Sequence, residues 1–261
     1  MNPIVSSAIL AVGLFVSVFL AQFLGRALGG RRLAIFGDAE KTGAGAVEGT
    51  VFALLGLMLA FTFSGAASRF DHRRELVVQQ VNAIGTAWLR IDLLPPPDQP
   101  QVRELIRRYV DGLLEAAAGA GDTRRLAQAS EVLSDLQGRI WRLSVDAAAR
   151  DGRPQVASLM LPPLNEAFDL TTSRLAATRI HVQPAVLWFL FALAVLAGLL
   201  AGHSQAATKR PDWLHMSIFA TLISATLYFI MDLEYPRRGL ITLESADVFL
   251  VDLRASLEPT P

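Results

Sequence analysis

An all-α membrane protein, with four transmembrane helices around a polar helical middle, is the fold class this sequence predicts, and three observations predict it. Hydrophobic residues fill 52% of the 261 positions and charged residues only 18%, too apolar a balance for an ordinary water-soluble domain. The charges are unevenly placed: most fall between Arg69 and Arg179, while four long stretches carry none. Within the polar middle, apolar residues recur with the period of a helix and show little of the alternation of a strand.

The uncharged stretches are Ile4 to Leu24, Gly49 to Ser68, Ala185 to Thr208 and Trp213 to Met231. Each is long enough to cross a hydrocarbon core of about 30 Å, which takes about 20 helical residues. The first has no basic segment before it and is longer than the apolar core of a secretory signal, so it is expected to stay as a membrane helix. No proline interrupts the chain between Ser64 and Leu94. The second helix can therefore run on out of the bilayer, and about 45 residues from Glu48 would reach close to 70 Å.

In the middle segment Val102, Leu105, Ile106, Tyr109, Val110, Leu113 and Leu114 share one helix face, while Arg103, Glu104, Arg107, Arg108 and Asp111 take the other. Leu126, Ala129, Leu133, Leu136, Ile140, Leu143 and Ala147 alternate steps of three and four, as on a helix packed along its length. Pro95-Pro96-Pro97, Gly119-Ala120-Gly121-Asp122 and Asp151-Gly152-Arg153-Pro154 mark the breaks. The chain thus divides into a first transmembrane pair over 1–68, a helical domain over 69–183 continuing from the second membrane helix, a second transmembrane pair over 184–233, and a C-terminal tail over 234–261.

Composition also removes whole classes of function. Basic and acidic residues cancel, so no global field recruits nucleic acid. The absence of cysteine excludes disulfide scaffolds, thiolate nucleophiles and cysteine metal sites. His72, His181, His203 and His215 are scattered without metal-ligand spacing, and Gly43, Gly45 and Gly49 are not followed by the Lys-Ser/Thr of a phosphate loop. No enzyme chemistry, cofactor or metal is expected. Gly45 and Gly49 instead form a small-xxx-small pair suited to close helix packing.

What remains is a face of the second membrane helix. Ala53, Leu57 and Phe61 recur at steps of four, and Gly49 continues the stripe one turn earlier. Facing the axis of an oligomer, stacked rings of such side chains form a constriction that gates by dewetting. The same spacing also suits an ordinary packed membrane helix. A single stripe cannot enclose a pore, so conduction along it needs symmetry-related copies.

Three stretches resemble the bestrophins, particularly bacterial ones: Leu54-Leu55-Gly56-Leu57-Met58-Leu59-Ala60-Phe61 with Ser64, Arg69-Phe70 and Arg74-Glu75-Leu76; then Leu161, Leu164-Asn165-Glu166, Arg174, Thr178-Arg179 and Pro184; then Leu233-Glu234-Tyr235-Pro236. More closely, the chain is similar to a divergent bacterial group of bestrophin-like domain proteins of uncharacterised function. The resemblance implies a homopentameric ion channel in a bacterial inner membrane, with both termini and the helical domain in the cytosol. It places Ala53, Leu57 and Phe61 at the pore neck. Self, membrane lipids and inorganic ions are the implied partners.

Departures from the family pattern are equally specific. Tyr235-Pro236-Arg237-Arg238-Gly239 brings two cations where animal bestrophins carry acidic residues, so no calcium clasp of that type is expected. Ala53 is smaller than the residue usual at its neck position, so two narrow rings are expected rather than three. Selectivity falls to charged rings at the mouths if these residues face the pore: Arg69 near Ser64 then favours anions and Glu48 cations, with anions preferred, whereas off the pore Arg69 is an ordinary interfacial cation and Glu48 an exposed carboxylate at a helix end. Positive charges flank both ends of the membrane segments, Arg26, Arg31, Arg32, Lys41, Lys209 and Arg210 against Arg69, Arg73, Arg74, Arg174, Arg179, Arg237 and Arg238, so charge counting leaves orientation open and the resemblance decides it. The rival from another class is a non-conducting membrane scaffold or sensor whose helical domain binds a partner.

Overall fold

A computed structural model describes residues 3–36, 41–119, 122–208, 210–235, 241 and 243–258. Every regular element among them is helical: α1 (Pro3–Phe36), α2 (Lys41–Arg90), α3 (Gln99–Ala118), α4 (Thr123–Asp151), α5 (Pro154–Ala177), α6 (Pro184–Ser204), α7 (Trp213–Glu234) and α8 (Glu244–Ser256), with single 3-10 turns at Ile91–Leu93 and Gln205–Ala207. Four helices, α1, α2, α6 and α7, contain segments long and apolar enough to cross a membrane. The chain forms two compact units, one from residues 1–70 and 181–241, the other from 71–180 and 242–261. Helix α2 is continuous over 50 residues and contributes to both.

In the first unit α1 packs along α6 and α7. The α1–α6 contact is a glycine interlock. A Cβ at Gly202 would collide with the backbone carbonyl of Gln22, one at Gly25 with the carbonyl of Leu199, and one at Gly198 would lie 2.9 Å from the carbonyl oxygen of Val18. Hydrogen in place of a side chain is what lets the two backbones meet, the usual basis of membrane helix packing. The fully buried Gln22 then donates from Nε2 to the Met216 carbonyl at 2.9 Å, tying α1 to α7. Leu14, Val18, Leu55, Leu59, Leu190, Ala194, Ala220 and Ile230 fill the core between these helices.

The second unit is a bundle whose breaks fall at the sequence signals. Asp122 caps α4 by accepting from the Arg124 N–H at 2.8 Å, and Gly152, at φ 75°, ends it in the left-handed region that favours glycine. The predicted faces of α3 and α4 pack together, with Val102, Ile106, Tyr109, Val110, Leu133 and Ile140 all buried. Helix α5 contains Pro162-Pro163; Pro163 has no N–H to give the Leu159 carbonyl, and Arg90 of α2 supplies the donor at 2.5 Å. Gln80, Tyr109 and Thr171 form a buried polar cluster around the Ala167 carbonyl. Burial holds the Tyr109 phenol above its ordinary pKa range.

Part of the stretch read as a C-terminal tail is helix α8. Its Ala246, Leu250, Leu253 and Leu257 are buried in the second unit. Arg254 donates to Asp111 at 2.6 Å, and Arg107 donates to the Leu257 carbonyl at 2.9 Å. These contacts seat α8 against α3, while Leu253 also reaches Gly85 of α2.

Candidate functional site

Within the first unit, α2 has one covered face and one bare face. Leu55 is 2% exposed, Leu59 and Ala66 are buried with it, and Phe52 meets Phe219 of α7 edge-on at 6.0 Å between centroids. The opposite face carries Ala53, Leu57, Phe61 and Ser64, all exposed, with Leu57 at 50% and Phe61 at 64%. Among the described residues no other helix covers that face. Gly45 and Gly49 open it: a Cβ at either meets nothing within 4 Å among the described residues. The tight glycine packing sits at Gly25, Gly29, Gly198 and Gly202 instead.

The two charged candidates have specific surroundings. Glu48 has its side chain only 14% exposed, with Oε1 3.7 Å from His203 Nδ1 of α6. Arg69 is held by Glu234 at the end of α7. Its Nε donates to Glu234 Oε1 at 2.8 Å and its Nη2 donates to the same oxygen. The Glu234 carboxylate is fully buried, while the Arg69 side chain keeps 30% exposure. The second carboxylate oxygen accepts from the Val182 backbone N–H at 3.1 Å, with His181 Nδ1 3.7 Å away. The His181 ring lies 4.5 Å from that of Tyr235. One buried carboxylate thus joins α2, the end of α7 and the strand of chain entering α6.

Two further partners are local. Asp232, one turn of α7 before the chain leaves the helix, is buried and accepts from the Ile241 N–H at 2.8 Å. In the second unit Arg73 donates to the carbonyls of Ala177 at 3.0 Å and Ile180 at 2.9 Å, capping the end of α5. The Pro236-Arg237-Arg238-Gly239 stretch, on which the missing calcium clasp was argued, lies outside the described residues, as does Lys209. No group of three or more His, Asp or Glu is gathered at metal-binding distance among the described residues.

Sequence reasoning named Arg69 and quoted Glu234 but did not pair them, and it missed Gln22. Gln22 had a signal, a lone amide in the uncharged run Ile4 to Leu24.

A family model described as the Bestrophin-like domain matches residues 9–247. The chain belongs to the Bestrophin-like family. A bacterial bestrophin homolog from Klebsiella pneumoniae, solved by crystallography with a tyrosine-to-alanine substitution, superposes with a TM-score of 0.64 over 94% of this chain and 98% of its own, at 16% sequence identity. The bestrophin-like fold is therefore shared along nearly the whole length of both chains. No curated protein matches the sequence. The stretches carrying the resemblance occupy distinct places in this bestrophin-like chain: the first runs along α2 and contributes to both its covered and its bare face, the second lies in α5 and its exit, and the third contains the Glu234 latch.

Proposed function

We propose that this Bestrophin-like protein is a subunit of a homopentameric ion channel whose pore is lined by the bare face of α2, with Ala53, Leu57 and Phe61 in the neck. The observation that carries the proposal is the composition of that face. It is exposed in the isolated chain, apolar at Leu57 and Phe61, yet interspersed with Gly49, Thr50, Ala53, Ser64 and Ser68. A lipid-facing surface gains nothing from glycine and hydroxyl groups, whereas a lumen lined by small and polar residues above and below two bulky rings conducts when wetted. Five copies around an axis supply the enclosure that one helix cannot.

The sign of selectivity we assign is anionic. Gly49 to Ser68 carries no charge, so the mouths decide. Glu48 is the less available of the two candidates, at 14% side-chain exposure beside His203, against 30% for Arg69. The polar unit and both termini are assigned to the cytosol of a bacterial cell, and the four apolar helices to its inner membrane, in contact with lipid. Transport, not catalysis, is the activity. Purified protein in liposomes should pass chloride faster than empty liposomes do and faster than it passes potassium; flux equal to that of empty liposomes would leave the scaffold or sensor role.

A further inference from the structure

The second unit has four helical stretches in a ring: α2, α3, α4 and α5. Arg103 of α3 stacks on Trp88 of α2 at 4.4 Å, Gly112 of α3 faces Leu133 of α4, α4 packs on α5, and Gln80 of α2 donates to the Ala167 carbonyl of α5 at 3.2 Å. Helix α8 lies outside that ring along the α2–α3 edge, touching Gly85 and Asp111, and its Asp247 comes within 4.0 Å of Arg174 near the end of α5. The α4–α5 edge is the opposite one. It holds a shallow depression, open to solvent, lined by Trp141, Ala157, Ser158, Leu161, Pro162 and Asn165.

Both edges carry apolar surface that no described residue covers. On α8 the side facing away from the bundle presents Val248, Phe249 and Val251, each close to half exposed. Helix α8 has 13 residues and carries Asp247, Asp252 and Arg254, too short and too charged to enter a bilayer. The charges at the two edges are complementary. Asp252, one turn from Val248 and Phe249, is exposed and has no ion pair among the described residues; Arg142, beside Trp141, is exposed and likewise has none. An apolar ridge with a free carboxylate and an apolar groove with a free guanidinium, on opposite edges of one bundle, are the two halves of a head-to-tail contact.

We infer that the outward face of α8 docks into the α4–α5 groove of a second copy of this chain, Phe249 entering against Trp141 and Leu161 and Asp252 pairing with Arg142. The inference rests on the oligomeric channel proposed above and names the surfaces that close it. Because the two surfaces differ, the contact is heterologous, the kind that repeats from copy to copy and gives a ring when its rotation closes.

The cysteine-free sequence makes the test direct. Phe249→Cys/Leu161→Cys, embedded in membranes and treated with a bis-maleimide, should give a ladder in steps of the 28.3 kDa chain mass, while each single-cysteine variant stays at one chain mass. Asp252→Arg should reduce the ladder several-fold, and adding Arg142→Asp should restore it. Native mass measured on the same sample separates the two proposals. A pentamer without a ladder overturns the interface and leaves the channel standing; monomers overturn both. Adducts whose mass is not a multiple of the chain show a foreign protein in the groove and overturn the interface.

Discussion

The two ends of α2 differ in how their side chains are accounted for. From Leu76 to Arg90 most of the apolar side chains are covered within the chain: Leu76, Val77, Ala83, Ile84 and Ala87 are buried with Gln80, while Val78 and Leu89 stay exposed. From Gly49 to Ser64 only one side is covered, and the other leaves Leu57 and Phe61 half exposed or more. One helix therefore meets two kinds of surroundings. Where the bundle supplies neighbours, the covered side is apolar apart from Gln80, and the uncovered side carries Glu75, Gln79 and Asn82 with Val78 and Leu89. Where it does not, apolar side chains, glycine and hydroxyls share the uncovered side, a pattern suited to an axis shared among copies.

The largest effect separates glycines that pack from glycines that do not. Gly202→Ala drives a methyl into the Gln22 carbonyl, which is backbone and cannot swing aside. The cost should reach about 3 kcal/mol, the upper end for overpacking, and show as loss of monodisperse protein on size exclusion in detergent. Gly49→Ala meets nothing in the chain and should leave that profile unchanged at the level of the subunit. Equal losses would contradict the assignment of close packing to the α1–α6 face.

Next comes the covered end of α2. Ile84 is 2% exposed in the bundle core, so Ile84→Ala should cost about 2 to 3 kcal/mol, the lower part of the range for core truncations, read as a lower thermal midpoint of helix loss by circular dichroism. A smaller effect is expected at the Glu234 latch. Glu234→Gln removes the charge that holds Arg69 and should cost about 2 kcal/mol, in the range of hydrogen bonds to charged groups. It should also move the reversal potential toward that of chloride, because the Arg69 guanidinium is released. Loss of stability with no change in reversal potential would make Arg69 a purely structural residue.

The smallest is a matter of pH. Burial raises the Tyr109 phenol above its ordinary value, so the folded state favours the protonated form. Its contribution is complete below about pH 10, the unfolded value, and is lost as pH climbs through the raised folded value. Tyr109→Phe should cost about 1 kcal/mol at neutral pH, for the lost hydrogen bonds to Thr171 and Ala167, and should flatten the alkaline fall in stability.

Much of this was legible because it is local. An uncharged run of about 20 residues needs no partner to be recognised as a membrane helix, and the faces of α3 and α4 follow from spacing alone. What stayed hidden is non-local. Arg69 and Glu234 are 165 positions apart, and nothing in either neighbourhood names the other. Gly25, Gly29, Gly198 and Gly202 have the same four-residue spacing as Gly45 and Gly49; spacing says a face is small but not which faces meet. The burial pattern of α8, with Ala246, Leu250, Leu253 and Leu257 at steps of four, three and four, was present in the sequence. It was masked by Val248, Phe249 and Val251 on the other side, which blur the amphipathic contrast that marks a packed helix.

The measurement that bears most directly on the central claim, that the bare face of α2 lines a pore, is chloride flux through liposomes containing Leu57→Ala, Phe61→Ala or Leu55→Ala, with oligomer mass and thermal stability followed in parallel. Leu57 and Phe61 stand on the uncovered face one turn apart, whereas Leu55 is buried in the subunit core. Lumen-facing truncations should keep the oligomer intact, cost well under the roughly 2 to 5 kcal/mol of a core truncation, and raise flux by widening and wetting the neck. Leu55→Ala should lose stability without raising flux. If all three variants lose stability alike and none changes flux, α2 is a packing helix and the account of the pore is wrong.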